Sequence, residues 1–281
     1  MSTVRVVTDS ASDLPEDLRR ELDIRVVPLR VRIDDREYVD RVDLSNEEFW
    51  EKSQNAPALP QTSAPSVGDF EEAFRGCVAD GATAIICVTL SSELSATFQS
   101  ATIAAKALEG QVEIAVVDSR TASLAEAIIA VELARLARDG EPFSELFAQS
   151  EHFIERSRTF GTLDTLENLK KGGRIGPAQA MIGSLLSFKP IIEVANGVVQ
   201  AESRQRTRTR ALEYLADKVA SFPNISHVGI MDANAVDVAE FIDMIRARTG
   251  TQQIILGKVG PVIGTHAGPR TIGITFWTQA H

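Results

Sequence analysis

The chain has few cysteines and few aromatic residues, and it has no long apolar run. Its 281 residues include only two cysteines, Cys77 and Cys87, and both lie in apolar surroundings. A disulfide framework or a cysteine–histidine metal site is therefore not expected, whereas two buried, reduced thiols are. No apolar stretch approaches the roughly 20 residues that span a bilayer. The sequence thus predicts no metal site and no transmembrane segment.

The chain also lacks positive charge. It contains 29 Lys and Arg residues against 39 Asp and Glu residues, which gives a formal net charge of −10. A nucleic-acid partner needs a basic surface that displaces counterions, so none is expected. The first residues lead directly into a strand-like run without the features of a signal peptide, which predicts a cytoplasmic protein.

Strand-like and helix-like segments alternate through the first half of the chain. Apolar runs cover residues 4–10, 26–33, 82–90 and 112–117, and a long helical pattern covers residues 124–138. Such alternation predicts a parallel sheet with helices on its faces and ligand groups at the carboxyl ends of its strands.

The pattern changes near residue 158. Residues 189–194 and 198–202 flank Asn196-Gly197, a pair that is typical of β-hairpin turns. Two further helices then alternate with strands. The length also favours two domains. The sequence therefore predicts an N-terminal α/β domain with a parallel sheet at residues 1–157 and a C-terminal α+β domain at residues 158–281.

A glycine-rich segment near the end of the chain holds one histidine. His266 lies in the sequence GPVIGTHAGP, residues 260–269, directly after a strand-like run. Glycines allow close backbone approach, and a histidine held there is more typical of a ligand site than of a core. The alternative is a histidine whose hydrogen bonds are satisfied by the backbone of a tight turn.

Two hydroxyl-rich turns lie far upstream, and each precedes a predicted helix. The first contains Thr62 and Ser63, and the second contains Ser95. Free N–H groups and the positive end of the helix dipole favour an anion at such a position. Simple helix capping is the alternative for each turn. We expect these two turns and the histidine segment to converge on one anionic group.

Six blocks of the sequence, in this order and spacing, resemble the DegV family of bacterial fatty-acid-binding proteins. They are the two hydroxyl-rich turns, the histidine segment, Thr8-Asp9-Ser10, Val117-Asp118-Ser119 and residues 163–175. The resemblance covers essentially the whole chain. It implies that a long-chain fatty acid lies between the two domains. It also implies a non-enzymatic role, in which the chain presents the carboxylate to a separate fatty-acid kinase.

The same resemblance implies further partners. The acyl phosphate that the kinase forms would pass to an acyltransferase for phospholipid synthesis, and a transient contact with a membrane surface is compatible with that role. Neither a cofactor nor a catalytic residue is implied for this chain.

The resemblance also assigns roles to individual residues. The family residues that bind the carboxylate are matched by Thr62, Ser63, Ser95 and His266. Apolar residues that would line the acyl tunnel, but that also fit an ordinary helix core, are Ile182, Leu185, Leu186 and Phe188. The family's kinase-docking arginines are matched by Arg174 and Arg206, although a solvated helix start is the alternative for the arginine cluster around Arg206.

The chain departs from the family pattern in places that bear on the ligand. Ala96 and Arg270 stand where glycines are usual, and Phe98 stands where a tyrosine is usual. These departures leave the identity of the acyl chain open.

A phosphotransfer enzyme is the alternative function. It would use His266 as nucleophile and Asp9 or Asp118 as base. The chain has no Gly-x-x-x-x-Gly-Lys-Ser/Thr loop and no nucleotide-binding fingerprint, so a binding protein is favoured.

Overall fold

The computed structural model describes residues 3–182 and 188–279. The strands, in chain order, are β1 (Val4–Asp9), β2 (Arg25–Val27), β3 (Arg30–Ile33), β4 (Arg36–Val39), β5 (Gln61–Ser63), β6 (Ala84–Thr89), β7 (Glu113–Asp118), β8 (Ser157–Thr162), β9 (Lys189–Ala195), β10 (Val198–Gln205), β11 (Ser226–Asp232), β12 (Ile254–Lys258) and β13 (Ile272–Trp277). The α-helices are α1 (Glu16–Glu21), α2 (Asn46–Asn55), α3 (Val67–Ala79), α4 (Thr97–Ala107), α5 (Leu124–Arg138), α6 (Phe143–Arg156), α7 (Glu167–Lys171), α8 (Arg208–Ala220), α9 (Val238–Thr249) and α10 (Pro261–Ala267). Short 3₁₀ helices cover Ser10–Ser12 and Gly176–Met181. Within the described ranges, no helix is both long enough and apolar enough to cross a membrane.

The first half of the chain contains the predicted parallel sheet. Its strands follow the order β2-β1-β6-β7, and all three pairs are parallel. Every residue of β6 is buried, as expected of a central strand with helices on both faces. The α/β class predicted from the alternating pattern is confirmed.

A mixed sheet follows in the second half, in the order β10-β9-β8-β13-β11-β12. Only β11 and β12 pair in parallel, and the other neighbours are antiparallel. The predicted hairpin joins β9 to β10, and Asn196 and Gly197 both have positive φ, as its tight turn requires. The strands of this sheet all begin at Ser157 or later. The division into two domains near that residue stays a prediction.

Helix α5 packs between the two large sheets. It contacts β1 on one side and β11 on the other. A Cβ atom on Gly229 of β11 would lie 2.7 Å from Leu124 Cδ2, so glycine permits this close approach. The core around the helix joins residues of both halves, such as Ile128, Met231 and Trp277.

A small sheet of order β4-β3-β5 completes the fold. The prediction of one strand at residues 26–33 is wrong, because the chain enters this sheet at β3 after leaving the parallel sheet at β2. Pro28 lies between the two strands, and proline has no N–H for a sheet ladder. Strand β5 pairs Thr62 with Val31 of β3, which places the first hydroxyl-rich segment at the edge of this sheet.

Candidate functional site

A cavity lies where the two halves of the chain meet. It contains about 720 Å³ of space that atoms do not occupy, including space open to solvent. Its polar lining comes from Thr62, Ser63, Ser95, Arg174 and His266. Its apolar lining comes from Leu29, Ala64, Leu90, Leu94, Ala122, Leu169, Ile192, Val194, Val199, Val262, Ile263 and Ala267.

The two hydroxyl-rich segments and the histidine segment thus reach one cavity. Thr62 Oγ1 lies 2.8 Å from His266 Nε2, across 204 residues of sequence. His266 lies in the last turn of α10, so the segment is a short helix, and the alternative of a tight turn is wrong. Pro261 begins that helix at a position where proline is favoured, because its missing N–H would have no partner within the helix.

Capping does not account for Thr62 and Ser63. Helix α3 is capped by Ser66, whose hydroxyl accepts from Asp69 N while the Asp69 carboxylate accepts from Ser66 N. The hydroxyl groups of Thr62 and Ser63 are therefore not needed at that helix start. Their common position on the cavity wall favours a ligand-binding role.

Ser95 partly fits the capping interpretation. Its Oγ lies 2.9 Å from Thr97 Oγ1 and accepts weakly from Thr97 N at 3.4 Å, at the start of α4. The side chain is half-buried and lines the cavity. Its hydroxyl can therefore stabilise the helix start and still face a ligand.

The imidazole of His266 is neutral at physiological pH. Burial, followed by the positive charge of Arg174, lowers the pKa of His266 to about 4. When the single ring proton is on Nε2, the ring donates to Thr62 and leaves the threonine O–H free for an anionic ligand. Nδ1 is buried and has no hydrogen-bond partner among the described residues. It lies against Gly172, where any Cβ atom would collide with the ring.

Arg174 lies on the cavity wall, whereas the family resemblance assigned it to kinase docking. Its Nε donates to Leu94 O at 3.1 Å and its Nη1 donates to Gly172 O at 2.6 Å. These two carbonyl groups hold the half-buried guanidinium of Arg174 among the polar residues of the cavity wall. The sequence places Arg174 after a helix-ending Gly172-Gly173 pair, and nothing local indicates that it folds back against Leu94.

The predicted tunnel residues lie in different places. Ile182 is 43 % exposed and Phe188 packs at the edge of the cluster that includes Leu169, yet neither belongs to the cavity lining. Leu185 and Leu186 lie outside the described residues. The assignment of these four residues therefore stays a prediction.

The hairpin supplies apolar wall residues that sequence reasoning missed. They are Ile192 and Val194 of β9 and Val199 of β10. Ile192 and Val194 are two residues apart and therefore project from the same face of the strand. That period-two spacing is the signal that could have identified them.

Unlike Arg204 and Arg208, Arg206 has no side-chain partner among the described residues. It is exposed between β10 and α8, and it makes no hydrogen bond or ion pair with the described residues. Arg208, by contrast, forms a two-point ion pair with Asp237 at 2.8 and 2.9 Å. Arg204 Nη2 donates to Ala180 O at 2.8 Å. Arg206 is therefore available to a partner.

The geometry does not favour the phosphotransfer alternative. Neither Asp9 nor Asp118 lines the cavity with His266. Asp9 is buried and accepts from Ala11 N and Leu90 N, and Asp118 accepts from Ser92 N and Arg120 N. Within the described residues, no group of His, Cys, Asp and Glu side chains is arranged to hold a metal ion.

Sequence comparison finds similar proteins over nearly the whole chain. The model of a family described as "Uncharacterised protein, DegV family" matches residues 3–279. A DegV domain-containing protein of Halalkalibacterium halodurans is 32 % identical over 99 % of this chain and 100 % of its own length. Another, from Clostridium acetobutylicum, is 34 % identical over 98 % of each chain.

Solved structures with the same fold come from proteins described as binding fatty acids. A fatty-acid-binding DegV family protein of Thermus thermophilus superposes with a TM-score of 0.90, at 32 % identity over 99 % of this chain and 100 % of its own. DegV of Bacillus subtilis, described as a fatty-acid-binding protein, gives 0.88 at 29 % identity over 99 % and 100 %. A stearic-acid-binding protein of Eubacterium ventriosum gives 0.91 at 26 % identity over 99 % and 98 %.

Proposed function

The chain belongs to the DegV family, and from that premise we propose that it binds a long-chain fatty acid in the cavity between its two halves. The observation that carries the proposal is that the polar and the apolar residues of the cavity wall form separate groups. Hydroxyl, imidazole and guanidinium groups lie together, and the other lining residues are apolar. A molecule with one anionic group and a long alkyl chain matches such a wall.

The polar end suits a carboxylate. Thr62, Ser63 and Ser95 supply hydroxyl donors, and the Thr62–His266 hydrogen bond orients two of the groups. Arg174 contributes a positive charge that is held by backbone carbonyls. A bound carboxylate would favour the protonated imidazole and raise the pKa of His266 from its low value of about 4.

The apolar walls can supply most of the affinity. Burial of about fifteen methylene groups at roughly 0.8 kcal/mol each gives about 12 kcal/mol before the costs of association. The head group therefore needs only modest hydrogen bonds. A weakly held carboxylate also stays accessible to a second protein.

We further propose that the chain presents this carboxylate, in the cytoplasm, to a separate fatty-acid kinase and has no catalytic role itself. The acyl phosphate would then serve an acyltransferase of phospholipid synthesis. Arg206 supports a docking role because it is exposed and unpartnered among the described residues. Arg174 is also proposed for docking, although its place on the cavity wall gives it a second role toward the ligand.

Uptake of stearic acid by delipidated protein tests the binding proposal. Native mass measurement should show one added fatty acid per chain, and a failure to take up any long-chain acid would overturn the proposal. Acyl-phosphate formation with an added fatty-acid kinase tests presentation separately. A protein that binds stearic acid but supports no phosphorylation retains the binding role and loses the presentation role.

A further inference from the structure

A short polar segment is buried directly behind the cavity. Residues 9–13 have the sequence Asp-Ser-Ala-Ser-Asp; they begin at the last residue of β1 and continue through the 3₁₀ helix Ser10–Ser12. Asp9, Ser10 and Asp13 are at most 2 % exposed. Buried polar groups cost free energy unless they are hydrogen-bonded, so the partners of these side chains indicate what the segment does.

Two of the side chains bind backbone N–H groups of cavity-lining residues. Asp9 Oδ2 accepts from Leu90 N at 2.9 Å, and Ser10 Oγ accepts from Leu29 N at 3.0 Å. Leu90 follows β6 and Leu29 follows β2, and both side chains line the cavity. The two hydrogen bonds therefore hold two separate loops of the cavity wall.

Asp13 holds two more segments. Its Oδ1 accepts from Gly260 N at 2.8 Å, and its Oδ2 accepts from the hydroxyl of Ser123. Gly260 is the residue before α10, the helix that carries His266, and Ser123 follows Ala122 of the cavity wall. A Cβ atom on Gly260 would lie 2.8 Å from Asp13 Oδ1, so the contact itself requires glycine there.

We propose that Asp9, Ser10 and Asp13 are positioning residues of the cavity, with Asp13 setting the position of α10 and thereby of His266. This inference deepens the proposed fatty-acid binding and rests on it. The three side chains reach the loops after β2 and β6 and the starts of α5 and α10. A single rigid segment thereby aligns wall elements that are far apart in sequence.

The geometry requires Asp13 to accept a hydrogen bond, but it does not require a negative charge at this position. The carboxyl groups of Asp40 and Glu126 are also buried nearby, and Arg41 is the nearby cation. An asparagine at position 13 keeps an oxygen for Gly260 N and can donate from its amide to Ser123 Oγ. It would also relieve repulsion among the carboxylates.

The test compares Asp13→Ala with Asp13→Asn. The measurements are stearic acid affinity and the ¹⁵N chemical shifts of the His266 imidazole. Loss of a buried acceptor should weaken binding about tenfold in Asp13→Ala and move the imidazole shifts, because the Gly260 amide is left without its partner. Asp13→Asn should stay within about threefold of wild type with unchanged imidazole shifts.

Asp237→Ala serves as the control for a general loss of stability. Asp237 pairs with Arg208 at the start of α9 and does not line the cavity. Asp237→Ala should lower thermal stability while leaving stearic acid affinity and the His266 signals unchanged. If Asp13→Ala does not fold, Ser10→Ala replaces it, with a severalfold loss of affinity expected from the freed Leu29 amide.

Three results would overturn the inference. The first is an Asp13→Ala protein with wild-type stearic acid affinity and wild-type imidazole shifts. The second is an Asp13→Asn protein that loses as much affinity as Asp13→Ala. The third is an Asp237→Ala protein whose His266 signals change in the same way as those of Asp13→Ala. A failure of the proposed function would look different. Wild-type protein would then bind no stearic acid, while the imidazole shifts of Asp13→Ala would still report whether Asp13 positions His266.

Discussion

Substitution of Gly172 by alanine should weaken ligand binding at the head-group site without unfolding the protein. A Cβ atom on Gly172 would lie 2.9 Å from His266 Cε1 and closer still to Nδ1, with Asn168 O at 3.1 Å. The imidazole cannot move away without giving up its hydrogen bond to Thr62. The substitution therefore acts on a side chain that hydrogen-bonds α10 to β5.

Two opposing effects set the magnitude. Gly172 has φ −76°, which alanine adopts without strain. Replacing glycine by alanine at such a position stabilises the folded protein by about 0.4–1 kcal/mol, because alanine lowers the conformational entropy of the unfolded chain. Overpacking in a tight site costs about 1–3 kcal/mol. We expect the free energy of unfolding to fall by up to about 2.5 kcal/mol and stearic acid affinity to fall about tenfold as the Thr62–His266 pair separates.

The same change in a His266→Ala background isolates the contact. Without the imidazole, Gly172→Ala should be neutral or slightly stabilising, so a double-mutant cycle should give a coupling of about 1–3 kcal/mol in urea unfolding. Gly68→Ala is the matched control, because its nearest neighbour is 3.7 Å away and its φ is not positive. A Gly172→Ala protein with wild-type stability and affinity, or a coupling near zero, would refute the reasoning.

Three further outcomes follow from the site. Ser95→Ala and His266→Ala should each weaken stearic acid binding by about 1–3 kcal/mol, and unchanged affinity in both would remove them from the head-group site. Arg206→Glu should leave the fatty-acid content unchanged but reduce acyl-phosphate formation at limiting kinase. Arg174→Glu should reduce both. Wild-type acyl-phosphate formation in Arg206→Glu would mean that Arg206 belongs only to a solvated helix start. Burial raises the pKa of Asp13 from 3.8 to about 7, so its contribution to stability is complete below pH 3.8 and is lost as pH rises through about 7. Asp13→Asn should therefore reduce the fall in unfolding free energy between about pH 4 and pH 7, and an unchanged pH profile would contradict that assignment.

Local signals in the sequence predicted much of the fold. The apolar run of β6 and the Asn196-Gly197 hairpin each depend on neighbouring residues, and both are confirmed. The strand prediction at residues 26–33 failed because apolar character continues past Pro28 while the hydrogen-bonding partner changes.

The candidate site was harder to predict where it depends on distant contacts. Thr62 and His266 were expected to converge, and they lie in hydrogen-bond contact. The glycines around His266 were expected to allow close backbone approach, and they let the short helix α10 pack closely, since a Cβ on Gly264 would lie 2.8 Å from Phe49. Arg174 and Asp13 act on segments 80 and 247 residues away, and no local pattern encodes such partners.

Mass spectrometry of an organic extract from freshly purified protein tests the central claim most directly. The account predicts a long-chain fatty acid at close to one molecule per chain, and its loss from a Thr62→Ala, His266→Ala double variant after washing with an albumin acceptor. Purified wild-type protein that yields no fatty acid, and that takes up none after exposure to stearic acid, would contradict the account.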